Sequence, residues 1–192
     1  MAKTVKLFSS VQEVEDFIKN FIEQKRKEIL MSENKLAFSP LKFKDHHHNG
    51  LLSYGMIKAK GLKFLEVEKV PGKVETENAL LSGNVTGIIP MVFYIGNMSR
   101  YVYGKQCDGN PIDIEIFKDF LEAIVKHECL HIYQLYWLLK HSKNFKQSIK
   151  LVLAYRDRIK EHDDRVYEKE ANAYMFGKPI QHVSKYMSQF LA

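Results

Sequence analysis

The chain has 192 residues, 45% of them hydrophobic and 12% aromatic, and a net charge of +6. That length and apolar content predict one domain over residues 1–192 with a sizeable buried core. The absence of internal repeats and low-complexity tracts excludes a repeat array, and two cysteines, Cys107 and Cys129, make too poor a framework for a disulfide scaffold.

Two cysteines in a chain of this size suit a reducing compartment. The opening "MAKTVKLFSS" lacks the apolar core and small-residue cleavage site of a secretion signal, so a cytoplasmic location is expected. The longest weakly polar stretch, residues 79–96, is interrupted by Asn84, Pro90 and three glycines, which predicts short strands and no membrane span. The lysines are dispersed, as on solvated helix faces. A weak contact with nucleic acid or another polyanion is the sharper reading of the basic charge, and no nucleic-acid motif accompanies it.

In chain order, residues 1–34 predict an N-terminal helix. Ser10 and Glu13 form a capping box, and Val14, Phe17, Ile18, Phe21 and Ile22 make an apolar stripe of helical period. Residues 35–104 change character. Alternating "KLAFSPLKFK", the segments "LLSYGMIKAKG", "LKFLEVEKV" and "VTGIIPMVFYIG", and the short "YVYG" lie between Gly, Pro and Asn punctuation. They predict a small, mostly antiparallel sheet, because the links between them are short. Pro90 points to an edge or a bulge.

Residues 111–192 predict a helical half. A long helix starts after Pro111, with apolar residues at 117, 120, 121, 124 and 125 and onward through 139. An Asn144/Gln147 pair opens the next helix, Gly177 stops the one after, and a short helix near "VSKYMSQFL" follows. Helix, sheet, then helices is an α+β order.

The chemistry concentrates in "VKHECLHIYQ". On a helix, His127 and His131 lie one turn apart on one face, so both imidazoles can reach one ion. Glu128 leaves the same turn about 100° away, where a carboxylate can take a proton from a metal-activated water without binding the metal. His-Glu-Cys-Leu-His is an HExxH motif, the pattern of zinc hydrolases. Packed histidines with ordinary hydrogen bonds are the plainer alternative, yet burying them in so apolar a helix without a partner is costly. A third protein ligand is needed, and downstream "YEKEANAY" offers Glu168 and Glu170.

With HExxH followed by a separate E-x-x-A-N (Glu168, Ala171, Asn172), the chain resembles the gluzincin class of metallopeptidases. Thermolysin-like enzymes, minigluzincins and ImmA/IrrE-type peptidases belong to that class or resemble it. The resemblance covers about residues 113–140 and 163–176 and the order of sheet before helix. It implies a zincin-like fold, one Zn2+ held by His127, His131 and Glu168, and Glu128 as general base. It also implies that Asn172 orients a zinc-bound histidine and that Ala171 keeps the glutamate helix close. Many members have Asp where this chain has Asn172. Glu170 is the rival ligand, about 200° from Glu168 on a helix, and Glu168 is preferred because Ala171 and Asn172 then fall in the pattern.

Weaker candidates complete the reading. Tyr174 and His182, with His162 and Tyr136, are possible oxyanion donors. Cys107, in the loop "KQCDGNP", could cap the zinc as a thiolate, and Cys129 is expected in the core. Asp45 and His46–His48 read as an exposed turn, with a second metal site as the alternative. The expected activity is hydrolysis of a protein or peptide substrate. The alternative is a non-catalytic, zinc-stabilised binding module, associated with DNA or a virion.

Overall fold

The computed structural model describes residues 4–31, 41–44, 51–53, 69–71, 73–75, 91–175, 177 and 183–192. The described residues are mostly helical, with six α-helices and a few strands of three or four residues.

Helix α1 spans Val11–Met31. Its start is capped nearly as the sequence predicts. The Glu13 amide donates to Ser10 Oγ at 3.2 Å, but the Glu13 carboxylate reaches back one residue further, to the Ser9 amide at 2.7 Å. Val14, Ile18 and Ile22 are fully buried, and Phe17 and Phe21 flank them. This stripe packs on the two helices that follow the strands.

Strands β1 (Leu41–Lys44), β2 (Leu51–Ser53), β3 (Lys69–Pro71), β4 (Lys73–Glu75) and β5 (Met91–Tyr94) occupy the middle of the chain. β2 pairs with β3, and β4 with β5, both antiparallel. β1 pairs with β5 in parallel, with Phe43 opposite Phe93. The expectation of antiparallel pairing assumed that sequence neighbours pair across short links. β5 instead lies between β1 and β4, so its β1 partner is reached by a long crossover. His46–His48, Pro90 and most of the segments expected to form strands lie outside the described residues.

The expected sheet region also ends early. Gly96–Cys107, which includes "YVYG", is helix α2. Its aromatic and β-branched residues suit a strand, but Met98, Ser99 and Val102 recur at helical spacing and are buried, and α2 packs on α1. Gly109, at φ +74°, closes the turn beyond its C-terminus.

Helix α3, Ile114–His141, is the spine. Asp113 caps it, accepting from the amides of Glu115 at 3.0 Å and Ile116 at 3.4 Å. Phe117, Phe120, Leu121, Ile124, Val125, Leu130 and Leu138 fill the core along its length. Helix α4, Phe145–Arg158, opens on Asn144, whose Oδ1 accepts from the Gln147 amide at 3.1 Å. A 3-10 turn at His162–Asp164 leads into α5, Val166–Met175, and Gly177 follows at φ +85°. Helix α6, Val183–Met187, and the 3-10 turn Ser188–Phe190 complete the described chain. α5 packs along α3, and α6 packs against both. Among the described residues no helix is long and apolar enough to cross a membrane.

Candidate metal centre

The middle of α3 and the first turn of α5 meet at three side chains. His127 and His131, one turn apart, set their rings edge to face with centroids 4.6 Å apart. Their Nε2 atoms face each other at 3.0 Å. Glu168 Oε2 lies 3.2 Å from each of those nitrogens. All three residues are buried, Glu168 to 3% exposure, too little for water to solvate its charge. The group could hold a metal ion.

The donors suit zinc. Tetrahedral ligands with bonds of 2.0–2.1 Å lie about 3.3 Å apart. The separations here are 3.0, 3.2 and 3.2 Å. Two imidazole nitrogens and one carboxylate oxygen, all pointing at one spot, are also a donor set that zinc accepts. Hydrogen bonds alone serve the spot poorly, because three mutually adjacent acceptor-capable atoms have few protons to share.

The electrostatics tell the same story. Burial pushes the His131 imidazole toward its neutral form, yet the hydrogen bond and charge of Glu168, helped by the charge of Glu128, raise its pKa to about 10. Burial also works against the Glu168 carboxylate. Hydrogen bonds from His127, His131 and His162 outweigh it and hold the carboxyl far below the usual range. The centre therefore keeps a carboxylate anion inside the protein, balanced in the absence of an ion by protonated His131.

Three residues around this centre escaped the sequence reading in their observed roles. Gln134, buried on α3, accepts from His131 Nδ1 at 2.9 Å and donates to the Tyr167 carbonyl and to Glu170 Oε2, each at 2.9 Å. Glu170, the rival ligand, is thus turned toward Gln134 and away from the imidazole pair. His162, weighed only as an oxyanion donor, places Nε2 3.1 Å from Glu168 Oε1 while its ring stays half exposed. A lone glutamine in the apolar half of α3 was the one available signal for the first of these.

The remaining candidates sort as follows. Glu128 is half-buried and outside the converging group, though its charge reaches His131. Asn172 orients neither histidine. His131 Nδ1 is taken by Gln134, and His127 Nδ1 is buried with no hydrogen-bond partner among the described residues. Ala171 is fully buried at the seam between the helices. Tyr174 and Tyr136 are partly buried against the core. His182 lies outside the described residues. Cys107 is a free, exposed thiol at the end of α2, beside Gln106, which bonds to Phe8 at the N-terminal end of α3. Phe117 marks that end, about 15 Å of helix rise from His127. This thiol therefore lies away from the three converging donors. Cys129 is in the core, and burial pushes its thiol up to about 12. Comparison with protein-family models, curated proteins and solved structures finds no match.

Proposed function

We propose that this chain is a zinc-dependent peptidase of gluzincin type, with a zincin-like α+β fold over 1–192, that cleaves a protein or peptide partner. The observation that carries the reading is the convergence of His127, His131 and Glu168, with Glu128 one residue from the first ligand and outside the group. Two free thiols, one of them exposed, suit a reducing, cytoplasmic setting.

His127, His131 and Glu168 would hold the ion, and zinc so held supplies an acidified water and a Lewis acid for the scissile carbonyl. Glu128 then has one task, to take a proton as general base and return it to the leaving amine. Its half-buried place on the histidine turn favours that task over ligation, because the helix directs its side chain about 100° from that of His127.

Glu128→Gln separates an enzyme from a scaffold. It keeps size and hydrogen bonding but accepts no proton. Zinc content should stay at wild-type stoichiometry, while cleavage of a quenched peptide or partner falls roughly 10²-fold or more. Wild-type cleavage by the variant would remove the general-base role. Full zinc without turnover in the wild type would favour a metal-stabilised binding module.

A further inference from the structure

We infer that Gln134 is the positioning residue of this centre: its carboxamide sets which nitrogen of His131 faces Glu168, and it ties the histidine helix to the glutamate helix. The inference rests on the metal reading above.

The amide's orientation follows from its neighbours. Gln134 is 2% exposed, so its polar atoms must be satisfied by protein groups. At one end it meets the Tyr167 carbonyl and a Glu170 carboxylate oxygen, each 2.9 Å away. A backbone carbonyl only accepts, so the amide nitrogen, which carries two hydrogens, belongs at that end. Oε1 then faces His131 Nδ1 at 2.9 Å, and only an N–H can meet it there. Nδ1 of His131 therefore carries a proton, so Nε2 is the nitrogen left to give its lone pair to an ion beside Glu168 Oε2 once its own proton leaves.

The same amide sets the spacing of the ligands. Tyr167 immediately precedes Glu168, so the bond to its carbonyl anchors the backbone from which the third ligand departs. Glu170 is buried and lies on the far side of the amide. Its oxygen accepts from the amide, which polarises Oε1 toward the imidazole and makes His131 a stronger donor to a cation. Few side chains could replace Gln134. Glutamate would set a charge against Glu170 and the Tyr167 carbonyl. Leucine would remove the bonds that the amide makes to His131 Nδ1, the Tyr167 carbonyl and Glu170 Oε2, and asparagine is one methylene too short.

The test uses Gln134→Leu and Glu170→Gln beside wild type, with zinc alone as the probe. Zinc affinity is measured by competition with a chromophoric chelator, melting is measured on metal-free protein, and the ring nitrogens of His131 are read by 15N NMR. Gln134→Leu should bind zinc about 10- to 100-fold more weakly. The protected one-bond 15N–1H signal of His131 Nδ1, present in wild type, should be lost from it. Glu170→Gln keeps the shape and an acceptor for the amide, so it covers the case in which Gln134→Leu does not fold. It should bind zinc several-fold more weakly with little change in melting. Zinc affinity within twofold of wild type in either folded variant would make Gln134 a helix-to-helix brace only and overturn the inference. A wild type that binds no zinc sinks the metal reading instead; there, a protected Nδ1–H signal still supports the fixed ring, and its absence overturns it.

Discussion

Glu168→Gln tests the charge logic of the centre with no ion present. The carboxylate faces His127 and His131 at 3.2 Å and His162 at 3.1 Å. Glutamine keeps the size and one acceptor oxygen, so the loss should report the charge. His131 has a folded pKa of about 10 against an ordinary 6.5. A raised histidine contributes its full stability below 6.5 and loses it as pH rises through about 10. Glu168 is shifted downward, so the contribution also fades as pH falls below the ordinary carboxylate range. These are two views of one interaction and count once. Linkage with those two histidine values gives a contribution on the order of a few kcal/mol at pH 7 that has nearly vanished at pH 10. Urea unfolding of both proteins in excess chelator, from pH 6 to 10, should show a gap that closes as pH rises. A gap of constant size across that range would refute the reasoning and reduce Glu168 to a packing residue.

Three other substitutions probe the surroundings. His162→Ala should weaken zinc roughly 10-fold by freeing Glu168 Oε1, with melting of the metal-free protein nearly unchanged because the ring is half exposed; unaltered affinity in chelator competition would show that Glu168 does not need it. Cys107→Ser should leave both zinc content and cleavage at wild-type levels, and a rise in cleavage would return the thiol to the metal. Asp113→Ala removes the cap of α3 and should cost about 1 kcal/mol in urea unfolding without altering zinc affinity.

The parts of the structure that were legible in the sequence are those that a local period decides. Val14, Ile18 and Ile22 announce α1 because helical spacing alone puts them on one face. His127 and His131 announce their meeting for the same reason. The misreadings come where tertiary partners decide. "YVYG" has the composition of a strand, but α2 forms because Met98 and Val102 find α1 to pack on. The parallel β1–β5 pair depends on a long crossover that no local pattern encodes. Helical geometry says that Glu168 and Glu170 face apart, but only the packing of α5 on α3 decides which one meets the imidazoles. The expected partner for a histidine, Asn172, followed from resemblance, whereas the observed one, Gln134, stands one turn beyond His131 in the same helix.

The centre also closes a loop of chain. Its donors come from two places 37 residues apart, and α4 hangs between them. Ser148 and Ile149 are the buried residues of α4, and Phe145, Val152, Leu153 and Tyr155 pack partly buried against the core. Lys146, Lys150 and Arg158 lie exposed along it. An ion at the three donors acts as a clasp on that loop, and removing it lengthens the slack available to α4. Tryptic cleavage within residues 142–165 is then a gauge of occupancy: protected when the clasp is shut, cut first when a chelator opens it.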